Sequence, residues 1–468
     1  MNVLIISIIY QLLQIILFPF IAILICILQV KRGIIGNLKQ RMGIVPKTQP
    51  HEHVIWLHAV SVGEVLSLQE LVNTIKLQIP NAVCYVTVGT IAGMRMAKKQ
   101  ISADYLSFIP YDFGLCMLLA YKRINPKALI ITESEIWPNL ISFAHFKKVP
   151  LFLVNARVNP RSQNRNYHMR WFLTPLLNCF NAIFTQSTHD QEAFERMGVD
   201  QKKLIVLGNL KAWNVMGKKE KLEQTAAHQP PYNLSAVPAT LSELRRAGAK
   251  AQFTLSSVEG ADRPFPIILV GSMHPGELDI YLDTFTQLKA AFPNLKLMLA
   301  PRHFCWQTTL VDKIKQAGFS FFEWTETQPI SKNHSEPLQS SLKAIFSHYD
   351  ILLVCKLGEL FGLYPYATIF ALGGTFVPVG GHNLLEPAVW GTATIIGPYY
   401  DNCKDIADRL EAAEGIIKVE NIEKLNAQVF DLLAHPENRI ALGNKSYTWV
   451  KGEAERVEHV INKLIQKI

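Results

Sequence analysis

The 468-residue sequence is short of charge, and shortest of acid. Charged residues make up 18%, against the ~25% usual in soluble domains. The 38 Asp and Glu face 47 Lys and Arg, for a formal net charge of +9. With 49% hydrophobic residues, the chain is not disordered, collagen-like or a coiled coil, because it has ample apolar side chain to bury. Seven cysteines with no Cys-x-x-Cys pair argue against a disulfide framework or structural zinc and for reduced thiols. Neither Gly-x-Gly-x-x-Gly nor Gly-x-x-x-x-Gly-Lys-Ser/Thr occurs, so a dinucleotide fingerprint and a P-loop are both unsupported. There is no short-period repeat, no zinc-finger spacing and no basic-aromatic strand motif. The basic excess therefore points to an anionic partner other than nucleic acid.

Against this background one apolar run stands out. Residues 3–30 carry no charge, and ~20 such residues suffice to cross the ~30 Å hydrocarbon core as a helix. Gln11, Gln14 and Pro19 interrupt the run tolerably. Lys31, Arg32, Lys39, Arg41 and Lys47 follow, with no acid before Glu52. The expectation is a single-pass anchor over residues 1–30 with everything after it in the cytoplasm. Lys31, Arg32, Lys39 and Arg41 are expected to meet anionic headgroups.

The rest of the chain alternates between β-rich runs and helical or polar segments. The first series is Val54–Ala59, Val83–Val88, Ala128–Thr132, Leu151–Asn155 and Ala182–Gln186. The second is Pro266–Val270, Leu295–Ala300, Ile351–Cys355, Ile369–Gly373 and Thr394–Ile396. This is the βαβ rhythm of parallel sheets covered on both faces. Between the two series, residues 218–264 are polar and Pro-containing, which predicts a linker with one helix near 239–250. The predicted organisation is an anchor (1–30), a first α/β domain (31–217), a linker or insertion (218–264), a second α/β domain (265–450) and a C-terminal helix (451–468).

Several candidate loops follow apolar runs directly, where open α/β sheets bind their ligands. In His58-Ala59-Val60-Ser61-Val62-Gly63-Glu64, the carboxylate either acts as a general base or only decorates the first turn of a helix. In Thr132-Glu133-Ser134-Glu135-Ile136-Trp137-Pro138-Asn139, two acids follow a buried run, and Pro138 marks a first helical turn. Asn155-Ala156-Arg157-Val158-Asn159-Pro160-Arg161-Ser162 opens a stretch rich in Arg, with no acid between residues 136 and 189. Guanidinium suits phosphate, although a solvated basic face is the blander reading. Gly208-Asn209-Leu210-Lys211 closes the first half. In the second half, Gly271-Ser272-Met273-His274-Pro275-Gly276-Glu277 and Pro301-Arg302-His303 each follow a strand. Gly373-Gly374-Thr375-Phe376-Val377-Pro378-Val379-Gly380-Gly381-His382-Asn383-Leu384-Leu385-Glu386 is a flexible turn. Its Asn383 is placed as a helix N-cap, at a natural anion site. Lone histidines such as His58, His274, His303 and His382 are more often structural than catalytic, and count only as members of these loops.

In this order, His-Ala-Val-Ser-Val-Gly-Glu, Thr-Glu-Ser-Glu-Ile-Trp-Pro-Asn, Asn-Ala-Arg-Val-Asn-Pro-Arg-Ser, Gly-Asn-Leu-Lys, Gly-Ser-Met-His-Pro-Gly-Glu, Pro-Arg-His, Leu-Gly-Glu-Leu and Gly-Gly-Thr-Phe-Val-Pro-Val-Gly-Gly-His-Asn-Leu-Leu-Glu-Pro resemble the 3-deoxy-D-manno-octulosonic acid (Kdo) transferase family. The resemblance runs from the N-terminal run to about residue 452. It implies an inverting glycosyltransferase of the GT-B fold, with two Rossmann-like domains facing a cleft and a transmembrane helix before them. It implies a bacterial inner-membrane enzyme that moves Kdo from CMP-Kdo to a lipid A precursor (lipid IVA) in lipopolysaccharide synthesis, without a metal or other cofactor. Carried over residue by residue, it makes Glu64 the general base and has Glu133 and Lys211 support the transition state. It puts CMP against Arg302-His303, Leu357-Gly358-Glu359 and Asn383-Leu384-Leu385-Glu386. Ser61, Arg157 and Arg161 are assigned to the acceptor. The chain departs from the family pattern at Phe304-Cys305 and Cys355-Lys356, beside the nucleotide residues, and its segments 218–264 and 324–347 are long. The alternatives are a GT-B enzyme using another nucleotide sugar on a membrane glycolipid, or a catalytically silent lipid-binding homologue.

Overall fold

A computed structural model describes residues 3–32, 38–158, 167–228, 265–327 and 338–468, with side chains described except at 18–32 and 225–228. The chain divides into two compact units, Met1–Asn214 with Glu453–Ile468, and Val215–Gly452.

The first unit is built on a seven-stranded sheet: β1 (His53–Ala59), β2 (Ala82–Val88), β3 (Tyr105–Phe108), β4 (Ala128–Thr132), β5 (Leu151–Ala156), β6 (Ala182–Thr185) and β7 (Leu204–Val206). Their order is β3-β2-β1-β4-β5-β6-β7, and every pairing is parallel. β4 reads Ala-Leu-Ile-Ile-Thr and is buried throughout, as an interior parallel strand covered by helices must be. Trp56, Tyr121, Phe180 and Phe194 fill the core on one side. The order reverses between β1 and β4, so the chain leaves these two neighbours in opposite directions. The crevice beyond their carboxyl ends is the topological switch point, the usual ligand site of such sheets.

The second unit repeats the plan with β8 (Ile267–Met273), β9 (Lys296–Pro301), β10 (Phe321–Trp324), β11 (Ile351–Val354), β12 (Ile369–Leu372), β13 (Ala393–Ile396) and β14 (Ile416–Lys418). The order is β10-β11-β9-β8-β12-β13-β14, again all parallel. Its switch point lies between β8 and β12.

Four expectations need revision. The apolar N-terminus does form a helix, Val3–Arg32. Among the described residues, however, no helix is long and apolar enough to cross a membrane. The described half is docked on the first unit instead. Ser7 Oγ donates to Ser142 Oγ (2.8 Å), Gln11 Nε2 to Asn139 Oδ1 (3.0 Å) and Gln14 Nε2 to the Asp112 carbonyl (2.6 Å). These residues lie four and three positions apart, which gathers them on one helix face. The polar interruptions of the run are therefore its docking stripe.

Arg41, expected at headgroups, turns inward. Its guanidinium donates to the carbonyls of Ile109 and Gly89 and sits 4.8 Å above the Phe108 ring. Lys39 is exposed. The expected linker begins as helix: Leu210–His228 is continuous, and the chain passes between units within it. Lys219 donates to the Val389 carbonyl and stacks over Trp390 and Tyr447. The helix expected near 239–250 lies outside the described residues. The C-terminal helix is the end of a longer one, Pro436–Ile465.

Candidate active site

In the first unit, the helix Val62–Gln78 starts where β1 ends. Ser61 is its N-cap and Glu64 its third residue, and together they close a capping box. Glu64 Oε2 accepts the Val60 N–H (2.8 Å) and Oε1 the Ser61 N–H (3.1 Å), while Ser61 Oγ accepts the Glu64 N–H at 3.4 Å. Thr132 Oγ1, at the end of β4, adds a bond of 3.2 Å to Glu64 Oε2. The carboxylate is nearly buried at 4% exposure. Both readings of Glu64 thus meet in one geometry. The cap holds the side chain in a single position; Oε2 accepts two bonds, and Oε1, which accepts one, keeps a lone pair available.

Glu133 follows Thr132 with a left-handed backbone, φ +56°. A non-glycine residue rarely adopts this conformation outside turns or functional sites. Burial first, and then the negative charge of Glu64, hold its carboxyl above the usual range. Arg157 and Lys211 pull it back, and Glu135 adds to the upward push. Four of the sequence candidates, Glu64, Glu133, Arg157 and Lys211, therefore share one electrostatic environment at the β1/β4 switch point. Glu135 is also raised, by burial and then by Glu64. It accepts the Trp137 Nε1–H at 2.8 Å, which opposes the rise.

Asn155, at a register shift of β5, has φ +60°. Its buried side-chain oxygen has no partner among the described residues. Beyond this bulge Arg157 stands exposed, and its carbonyl accepts the Ser134 hydroxyl. Lys211 is exposed at the start of its helix, with its N–H held by Asn209 Oδ1 at 2.9 Å. Ser61 is exposed beside Glu64. Arg161 lies outside the described residues. His58 is a core residue. Its Nδ1 meets the Thr87 hydroxyl at 3.1 Å, and burial drives it down to about 4, a neutral imidazole.

In the second unit, Ser272 (φ +57°) sits at a register shift of β8. The loop after it carries Glu277, whose fully buried carboxylate accepts the N–H groups of His274 (2.9 Å), Gly374 (2.8 and 2.7 Å) and Phe376 (3.1 Å). One carboxylate thus ties the β8 loop to the β12 loop. Arg302 and His303 are exposed just after β9, and the Arg302 N–H is anchored on the Met273 carbonyl at 2.9 Å. Gly358, with φ +93°, has open space where a Cβ would stand. Leu357 is exposed, and Glu359 pairs with Lys356 at 2.7 Å. Glu386 pairs with Lys218 at 3.5 Å.

Asn383 stands one residue before the position expected of it. The short helix Leu385–Val389 has Leu384 as N-cap, and Asn383 Oδ1 accepts the Leu385 N–H at 3.0 Å. The side chains of Leu384 and Leu385 are buried, so neither meets a ligand.

A family model described as 3-deoxy-D-manno-octulosonic-acid transferase (kdotransferase) matches residues 36–213, the segment that holds Glu64, Glu133, Arg157 and Lys211. Curated 3-deoxy-D-manno-octulosonic acid transferases from Haemophilus influenzae and Aquifex aeolicus are similar across both units. The first is 27% identical, covering 88% of this chain and 86% of its own length. The second is 29% identical, covering 81% and 86%. The chain is thus similar to Kdo transferases over most of its length, and to their family model over residues 36–213. It is accordingly a glycosyltransferase. The fold is shared with the UDP-GlcNAc 2-epimerase of Neisseria meningitidis, at TM-score 0.54 and 12% identity over 88% of this chain and all of that one.

Sequence reasoning missed two parts of the site. Thr132 stood at a strand end and at the head of a candidate loop without a role, yet it is the side chain that touches Glu64 from β4. Glu277 was quoted within its loop without a role. Its signal was an acid after a strand, three residues beyond a histidine, which is the spacing of a turn that folds back on its own backbone.

Proposed function

We propose that the chain transfers Kdo from CMP-Kdo to a lipid A precursor, by a single inverting displacement at the cytoplasmic face of the bacterial inner membrane. The convergence of Glu64, Glu133, Arg157 and Lys211 at the β1/β4 switch point carries this reading, and similarity to the Kdo transferases supports it. Glu64 takes the proton of the acceptor hydroxyl. The oxygen so activated bonds to C2 of Kdo while the C2–O bond to phosphate breaks and its electrons leave with CMP. Glu133 and Lys211 bracket the charge that develops as C2 becomes oxocarbenium-like. Arg302, His303, the Leu357–Gly358–Glu359 turn and the Asn383–Leu384–Leu385–Glu386 segment belong to the CMP side. Ser61 and Arg157 belong to the acceptor side. No cofactor enters the scheme.

The membrane assignment is supported by the outward face of the N-terminal helix. Ile8, Leu12, Leu13, Ile15 and Ile16 are exposed there, and Trp171 is exposed on the helix Arg170–Leu177. The test is turnover with CMP-Kdo and a tetraacylated lipid A precursor. Product with CMP-Kdo and none with UDP-sugars supports the donor assignment, and the reverse overturns it.

A further inference from the structure

The second unit holds a cluster of titratable groups in which two histidines have no role in the transfer step. His274 comes from the loop after β8, His382 from the loop after β12, and Arg302 with His303 from the loop after β9. Their convergence follows from the sheet order, which brings the ends of β9, β8 and β12 side by side. His274 Nε2 lies 2.9 Å from His382 Nε2. The rings are nearly parallel, 19° apart with centroids at 5.2 Å, and the His303 ring stands edge-on to His274 at 6.0 Å.

Two ring nitrogens at this distance hold one proton between them. One Nε2 must be an N–H donor and the other a bare acceptor. The pair is therefore either neutral, with opposite tautomers, or singly charged, with one imidazolium bonded to one imidazole. The choice is set by what faces it. Arg302 and His303 approach from the β9 loop. Glu277 lies on the β8 loop, where its carboxylate is taken up by backbone N–H groups. Burial first, and then the cation Arg302, hold His382 down at about 4. His274 is lowered by burial, His303 and Arg302. The pair with no ligand is neutral. The geometry is also held fixed, since Glu277 ties the two loops and a Cβ on Gly374 would come 3.1 Å from His274 Cδ2.

We propose that the His274–His382 pair couples donor binding to proton uptake: a phosphate group entering beside Arg302 and His303 draws one proton from solvent into the pair, turning a neutral imidazole couple into an anion-binding imidazolium. This rests on the reading that the second unit binds CMP. The proton balance is simple. The neutral pair plus one proton gives imidazolium plus imidazole, and the existing N–H···N bond is kept. An anion offsets the charge of Arg302 and favours the protonated pair, so binding raises its proton affinity and, reciprocally, lower pH strengthens binding.

The experiment is calorimetric titration of the full chain with CMP in buffers of different ionisation enthalpy. At about pH 7 the CMP phosphate is already largely dianionic. The wild-type protein should take up ~0.5 proton or more per CMP at about pH 7, and CMP should bind about twofold tighter or more as pH falls from about 8 to about 7. His382→Gln and His274→Gln, checked as folded by circular dichroism, should still bind CMP, about tenfold more weakly. Both should show little uptake and a flattened pH dependence. Wild-type binding without uptake, or full uptake in both variants, overturns the proposal while leaving CMP binding intact. Failure of CMP to bind the wild-type chain overturns the donor reading, and the proposal with it.

Discussion

Glu64 caps a helix, and on the proposed reading the same side chain is the base. Its capping bonds fix where a base can stand, because the Val60 and Ser61 N–H groups hold both oxygens. Glutamine also fits the third position of a capping box, so Glu64→Gln separates the two duties. Turnover should fall at least ~100-fold, while the amide nitrogen, which cannot accept the N–H it faces, costs only about 1–3 kcal/mol of stability, read from the denaturant midpoint. Near-normal turnover would remove Glu64 from the base role. Replacing the cap itself is the complementary case: Ser61→Ala should cost ~1 kcal/mol of stability, read from the denaturant midpoint.

At this scale the sequence was legible where a motif follows a strand, and less so where orientation decides. His58 and Glu64 share one loop, yet His58 turns into the core while Glu64 stays at the strand end. Arg41 looked like a headgroup ligand, yet it spends its donors on two carbonyls. Charge alone does not say which way a side chain faces.

Among the elements, the interior strands announce themselves by continuous apolar runs, as buried parallel strands do. The four that do not are β3, β7, β10 and β14, and these are the edges of the two sheets. They are three or four residues long and only partly buried. An edge strand has one neighbour and one open side, so its sequence is free of the constraint that makes the others visible.

The N-terminal helix shows the opposite difficulty. Its apolar run was plain, but three polar residues turned it towards the protein. The seam centres on Asp112, whose oxygens accept the N–H groups of Asn139 and Leu140 at 3.0 Å each. Burial pushes this carboxyl up to about 7, from 3.8. A raised acid is protonated in the folded chain and ionised in the unfolded chain between those values. Its contribution to stability is therefore full below about pH 4 and is lost as pH rises to about 7. Asp112→Asn should remove that decline, as seen in denaturant midpoints measured across the interval. A decline of equal slope in the variant would show that another group causes it. On the outer face of the same helix, Leu12→Glu with Ile16→Glu should abolish co-flotation with anionic lipid vesicles. Unchanged flotation would exclude this face from the membrane contact.

For the molecule as a whole, two sheets of the same all-parallel kind each place their motif loops at a switch point. Carboxylates and cations gather in the first unit, and histidines with Arg302 in the second. No motif spelled out the strand order that brings Glu64 and Glu133 together across β1 and β4. The order of the motifs along the chain, matched to a family, stood in for that missing geometry. The division of labour it implies, with acceptor chemistry on the first sheet and nucleotide on the second, is tested most directly by one reaction. Incubation of the full chain with CMP-Kdo and a tetraacylated lipid A precursor, followed by mass spectrometry, should give a product heavier by one or more Kdo residues, and Glu64→Gln should give almost none. Unmodified lipid with the wild-type chain, or equal product from the variant, would contradict the account.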